Sequence, residues 1–348
     1  MKKYYPLCSN CFKDEGLKLD SEKIGITIKR ICPNCKSKEG KKLDFTLLET
    51  LAYHFFVKGT LLKTKYGAAP LIQFNDKQTT SIRFSEWLLY DIKLFETALN
   101  VGFFKYGPRL WMIGEIEPLK SLISENKRAE IVERILNEYP TTILTTSDVF
   151  YRLRINPMNP ANLNEYDSSP NPGKGRMDSK SFPILYGSQD LEVCIHECRV
   201  TIEDDLFVAC LIPNRDLRLI DLTKILDESV NEFKSLDLAI HMLFFAKKHS
   251  YKICKDIALK IKSAGYDGLV YPSYFSWLRT GAMPFDTVYG ISVRRLPSYK
   301  KQAESQIIRN IALFGKPIDE NIISVKCINR LKFNKIIYDY HFGPVEFE

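Results

Sequence analysis

Two cysteine pairs near the N-terminus, Cys8-Ser-Asn-Cys11 and Cys32-Pro-Asn-Cys35, constrain this chain more than any other feature. A Cys-x-x-Cys pair turns the backbone around a metal so that both sulfurs face it, and a second pair about twenty residues on closes a tetrahedron of four thiolates. The spacing predicts a zinc ribbon over residues 1–42, with Cys8, Cys11, Cys32 and Cys35 as ligands. Four thiolates leave no coordination position for water, so the metal would be structural. A segment of about forty residues buries too little to fold without it.

The 348-residue chain carries a formal charge of +8, and residues 1–42 hold eleven Lys and Arg against five Asp and Glu, which is +6 of that total. Zinc with four thiolates has a net charge of about −2, which lowers the segment to roughly +4. The basic excess therefore reads as solvated surface before it reads as a nucleic-acid patch, and nucleic acid stays open as a partner. Cys194, Cys198, Cys210, Cys254 and Cys327 sit within apolar stretches, unlike a disulfide framework. That usage suits a reducing compartment. No apolar run approaches the roughly 18–20 residues of a membrane span, and MKKYYPLCSNCF lacks the apolar centre of a secretory signal, so a cytoplasmic protein with no membrane partner is expected.

Residues 44–59 repeat Leu47, Leu48, Leu51, Ala52, Phe55 and Phe56 at helical spacing. Further helices are predicted over 84–99 and 119–138, with a strand near 69–74, which makes 43–146 a mainly helical module. Past Tyr139-Pro140 the texture turns β-branched and aromatic, and 156–175 form a polar loop with four prolines. The stretch 173–197 follows. In it Arg176 stands behind Gly175, an apolar strand over 183–186 ends in Tyr186, and a helix capped by Ser188 or Asp190 carries Glu197 on towards Ile202. Arg176, Tyr186 and Glu197 thus fall ten and eleven residues apart, a spacing that suits a loop, strand and helix folding back to bring three polar side chains into one cleft for an anionic ligand with a developing positive charge. A metal at Cys194, His196 and Cys198 is disfavoured, because on a helix His196 points away from both cysteines. Strands are predicted over 207–213, 217–222, 268–273, 287–294, 323–331 and 335–340, and helices over 236–249 and 252–264. The class is α+β, with a mixed or antiparallel sheet over 147–342.

From about Phe150 to Leu331 the chain resembles the RES domain family, on Tyr151-Arg152, Gly175-Arg176, Leu185-Tyr186, Glu197 and Tyr271-Pro272-Ser273, in that order. It departs from the family pattern after Gly175-Arg176, where an aromatic residue and an asparagine are usual and Met177 and Asp178 stand here. The N-terminal part is similar to the zinc-containing domain fused to some RES and HEPN proteins. No arginine lies five to seven residues before any histidine, which excludes the HEPN ribonuclease pattern. The resemblance implies an ADP-ribosyltransferase-like mixed sheet with helices, and cleavage of NAD at the nicotinamide–ribose bond with phosphate or water as acceptor. It also implies a role as a toxin or defence effector, whose partners would include an antitoxin or other regulatory protein. A homo-oligomer is a further expectation. Transfer of ADP-ribose to a macromolecule and a non-catalytic nucleotide- or nucleic-acid-binding module are the competing readings. The catalytic set implied is Arg176, Tyr186, Glu197 and Ser273. Arg152, Arg154 and Gly175 would bind substrate, and no catalytic metal is expected. Loss of nicotinamide leaves positive charge on the ribose, so such a site needs phosphate clamps and an anion more than a general acid.

Overall fold

The structure is a computed structural model, and it describes residues 4–64, 67–106, 116–276, 280 and 294–348. The chain divides into two compact units. One comprises Met1–Thr64, Ala68–Leu110 and Ile337–Glu348, and the other comprises Lys65–Gly67 and Trp111–Ile336.

In the first unit a two-residue strand, Leu7–Cys8, pairs antiparallel with Lys42–Leu43 and closes the cysteine-bearing loops at their base. Asp14 and Asp44 cap helices Glu15–Ile24 and Phe45–Ala52 by accepting the N–H groups of Leu17 and Leu47. The helix predicted over 44–59 is α-helical only to Ala52, and continues through a wider π turn over Tyr53–Val57. Phe55 and Phe56 are buried there, Phe56 meeting Phe95 and Phe103 of the helix Leu89–Leu99 and the strand Val101–Lys105, and Phe55 packing edge-on against Phe56. The C-terminal tail completes this core. The N–H of Phe342 donates to Asp20, Phe342 and Phe347 pack on the cluster, and Lys23 lies 3.3 Å from the centre of the Tyr340 ring. The apolar pattern at 335–340 is therefore not a strand, since those residues pair with no other strand.

The second unit is built on one eight-stranded sheet. Its strands are β1 (Thr141–Leu144), β2 (Phe150–Ile155), β3 (Ile184–Ser188), β4 (Leu206–Pro213), β5 (Leu217–Asp221), β6 (Gly268–Pro272), β7 (Arg309–Phe314) and β8 (Ile323–Leu331). They lie in the order β8-β4-β2-β3-β7-β6-β5-β1. All pairs are antiparallel except β5 with β6. A parallel pair needs a long crossover. Helices α4 (Leu236–Phe245) and α5 (Tyr251–Ser263) lie within it, after α1 (Glu117–Ile123), α2 (Glu125–Glu138) and α3 (Leu191–Cys198). A further helix, α6, spans Pro297–Ser305.

Period-two alternation sorts the strand residues between two cores. Ile184, Ile220, Leu269, Tyr271, Ala312 and Phe314 face the helices α1, α2, α4 and α5. Their neighbours Leu185, Leu219, Val270, Ile311 and Leu313 pack with Phe150 and Tyr166 on the opposite face. The architecture is α+β with a mixed sheet. Strands β4 and β5, adjacent in sequence, do not pair with each other, because β4 sits between β2 and β8 while β5 sits between β6 and β1. Helix α3 stops at Cys198, short of Ile202, because Arg199 adopts a left-handed conformation (φ 53°) and leaves Ile202 exposed. The strand predicted over 287–294 falls on residues outside those described, apart from Arg294. Among the described residues no helix is long and apolar enough to cross a membrane.

Candidate active site

On the helix-covered face, the end of β3, the end of β6 and the start of β7 come level, since Asn310 of β7 is the register partner of both Ser188 and Tyr271. Asp190 caps α3 through the Val193 N–H, and the helix buries Val193 and Cys194. One turn beyond Val193, Glu197 reaches the row where these strands meet. Its Oε1 accepts two hydrogen bonds of 2.8 Å, one from the Ser273 hydroxyl and one from the Asn310 side-chain amide. Both donors are buried, at 0% and 3% exposure, while Glu197 itself is exposed. The Ser273 hydroxyl is oriented in turn by the Phe275 N–H, which donates to it at 3.1 Å. One carboxylate oxygen is thus fixed by two buried donors, and no described residue hydrogen-bonds to the other.

Beside it, the loop before β3 is braced by Tyr186. Its phenol oxygen accepts the N–H groups of Met177 and Asp178 at 2.9 and 3.1 Å and donates to Asp178 at 3.3 Å. Burial pushes this phenol above its ordinary value, so it stays protonated at neutral pH. Asp178 also accepts the Gly173 N–H. A Cβ on Gly175 would lie 2.2 Å from the Asp178 carboxylate, so any side chain there would have to displace that carboxylate. Met177 is fully buried in the helix-side core. The two departures from the family pattern therefore have structural work: Met177 fills the core and Asp178 ties the loop.

This loop delivers Arg176, half-buried, with one N–H donating to the Phe244 carbonyl at 2.7 Å and the guanidinium about equidistant from the Phe244 and Tyr251 rings, at 5.5 and 5.4 Å. Phe244 stacks on Tyr271 at 5.2 Å. Burial raises the Tyr271 phenol well above its ordinary value, Glu197 and Tyr186 add to the rise, and Arg176 opposes it. Arg176 and Tyr271 thus both pack against the Phe244 ring.

Arg152 and Arg154 are placed elsewhere. Alternation along β2 puts them on the face of Phe150, opposite Tyr151. Arg152 is buried and donates to the carbonyls of Tyr186 and Asp167, and Arg154 donates to those of Glu165 and Asp167. Burial, with Arg154 nearby, pushes the Arg152 guanidinium down to about 9, which still leaves it charged at neutral pH. Both arginines hold the 156–175 loop against the sheet. Asn310 and the strand that bears it were not predicted. The signal was a single amide at the head of the apolar run Ile311-Ala312-Leu313-Phe314.

The first unit gathers the four N-terminal cysteines, whose sulfurs all lie within 4.8 Å of one another. The sulfurs are 3.8 Å apart between Cys8 and Cys11 and 3.5 Å apart both between Cys8 and Cys35 and between Cys11 and Cys32. A tetrahedron of four Zn–S bonds has edges of about 3.8 Å, so the donor set and its size fit a metal ion. Cys194, His196 and Cys198 form no such group.

Residues 150–281 match the family model described as the RES domain. The match covers 132 of the chain's 348 residues. That match spans β2 to the segment after β6, and so includes Arg176, Tyr186, Glu197 and Ser273 but not Asn310. Among solved structures, the chain is similar to one in the crystal structure of the M. tuberculosis MbcT–MbcA toxin–antitoxin complex. The identity is 12% and the TM-score 0.34, over 58% of this chain and 92% of that one. No curated protein matches the chain.

Proposed function

We propose that the RES-bearing unit degrades NAD by breaking the nicotinamide–ribose bond, with phosphate or water as acceptor, and that the chain acts as a toxin or defence effector under a regulatory partner. The observation that carries this is the Glu197 carboxylate, held by Ser273 and Asn310 through one oxygen, with no described residue hydrogen-bonded to the other. As nicotinamide departs, positive charge grows on the ribose, and a pre-oriented carboxylate stabilises it without having to reorganise. The leaving group departs neutral from a cation, so no general acid is required. Arg176 is the phosphate clamp, its guanidinium aimed by the Phe244 carbonyl and two aromatic rings. Tyr186 acts as a positioning residue, because its hydroxyl is engaged in bracing the loop that carries Arg176. Ser273 positions Glu197. Arg152 and Arg154 support the loop wall, and Gly175 permits its tight course past Asp178.

Zinc is the metal proposed for Cys8, Cys11, Cys32 and Cys35. Four thiolates close its shell, so its contribution is to folding.

The full chain incubated with NAD, with and without phosphate, should release nicotinamide, and Glu197→Gln should lower the rate by at least about a hundredfold, the scale for removing an electrostatic stabiliser. Wild-type turnover equal to that of an Arg176→Ala, Glu197→Gln double variant would overturn the proposal. Dependence of the rate on phosphate separates phosphorolysis from hydrolysis.

A further inference from the structure

The row of residues that ends at the Glu197 site begins, at the other side of the sheet, with two cysteines. Cys210 of β4 is the register partner of Cys327 of the edge strand β8. Cys210 is in turn the partner of Tyr151, Tyr151 of Ser188, Ser188 of Asn310, and Asn310 of Tyr271. Register partners project from the same face of a sheet, so the two cysteines stand side by side on the face that bears the site.

We propose that Cys210 and Cys327 are a redox couple that closes to a cross-strand disulfide under thiol oxidants. Directly opposed residues of antiparallel strands have Cα atoms about 4.5–5.5 Å apart, inside the span a disulfide bridges. Both are free thiols, Cys327 exposed and Cys210 half-buried. A bulge follows at once, since Leu211 pairs with Val325 and leaves Lys326 unpaired beside Cys327. Burial and the neighbouring Cys327 thiol raise Cys210, while Lys326 opposes that rise. The remaining cysteines do not compete. Cys8, Cys11, Cys32 and Cys35 belong to the metal cluster, Cys254 is buried in the helix-side core, and Cys194 and Cys198 lie one turn apart on α3.

With glutathione disulfide as oxidant the steps balance. The exposed Cys327 thiolate attacks one sulfur of the oxidant and expels a glutathione thiolate, leaving a mixed disulfide. Cys210 then attacks the Cys327 sulfur and expels the second glutathione. The two cysteines lose two electrons and two protons, and the oxidant becomes two glutathione thiols. The bond would fasten the edge strand to β4, next to the strand that bears Tyr151.

The test treats the zinc-loaded full chain with glutathione disulfide, alkylates the remaining thiols and maps peptides by mass spectrometry without reduction. The expected result is a peptide pair linked through Cys210 and Cys327, the loss of two alkylatable thiols, and their recovery with dithiothreitol. In Cys210→Ser, Cys327 should stop at the glutathione adduct. Wild-type protein in which Cys210 and Cys327 are recovered only as separate alkylated or glutathionylated peptides would overturn the proposal. So would linkage of either to another cysteine in preference. Cys210 is not fully buried, and the decisive reading is made on the wild-type chain, so a folding defect in the variant leaves the outcome intact.

Discussion

The four-cysteine cluster and the Glu197 site are both small sets of polar side chains held by backbone, yet they are assembled in opposite ways. The cluster comes from two pairs, each spanning four residues, joined at the base by two short strands. Glu197, Ser273 and Asn310 are 76 and 113 residues apart along the chain and meet only because a helix and two strands of one sheet do. With a metal bound, the cluster is expected to hold the cysteine-bearing loops together, whereas Glu197, Ser273 and Asn310 belong to neither of the two cores of the sheet that carries them. Damage to the first should be felt as unfolding, and damage to the second as lost chemistry.

Removal of the metal is the severest test of that contrast. Structural zinc contributes about 10–16 kcal/mol in small metal-dependent folds, which matches or exceeds the whole stability of a domain. Chelation, or Cys11→Ala with Cys32→Ala, is expected to abolish amide protection in 4–64 and 67–106 in hydrogen exchange while the eight-stranded sheet keeps its own. Protection surviving in the first unit would break the comparison. Next in size is Arg152→Met. It removes the side-chain donor of the Tyr186 carbonyl and leaves the Asp167 carbonyl to Arg154 alone, at a cost of about 1–3 kcal/mol, and should lower the melting temperature while leaving KM for NAD unchanged. Arg154→Met should do the same to a smaller extent, since that side chain is less buried. A raised KM at full stability would return both arginines to the site as clamps.

The difference between the regions also decides what the sequence could reveal. The cysteine cluster was legible because both pairs are local and the ligand chemistry admits few spacings. Arg176, Tyr186 and Glu197 could be proposed as a group, since one loop, strand and helix in succession carry them. Arg152 could not be placed from its neighbours, because which face of β2 meets α3 depends on the sheet order. Asn310 was hidden for the same reason, as its importance lies in being the register partner of Ser188 and Tyr271. The 335–340 pattern misled because its apolar residues lead into a tail that packs in the first unit, so their spacing reports docking and not a ladder. Helix α3 ended early on one residue, Arg199, whose left-handed backbone no propensity announces.

Within the site, the loop is expected to matter more than any single donor to Glu197. Gly175→Ala places a methyl group where the Asp178 carboxylate now sits, and displacing that carboxylate releases both Gly173 and Tyr186. Overpacking of this kind costs about 1–3 kcal/mol. The expected readout is a higher KM for NAD, because the loop aims Arg176, together with a modest fall in melting temperature. An unchanged KM would detach Arg176 from substrate binding.

The smallest expected effect is the one that most directly probes how Glu197 is held. Asn310→Ala removes one of two donors to Oε1 and leaves Ser273 to orient the carboxylate, so kcat should fall about tenfold, or about 1.4 kcal/mol, with KM little changed. Ser273→Ala should cost a similar factor in kcat and some stability besides, because the Phe275 N–H loses its acceptor. The two substitutions together should cost more than the product of their separate effects, since each donor covers for the other only while the other remains. Simple additivity would mean that the two bonds act independently and that the carboxylate is oriented by something else, such as the packing of α3. No change in kcat from either variant would remove Glu197 from the chemistry and leave the site as a binding surface, erasing the contrast with the cysteine cluster.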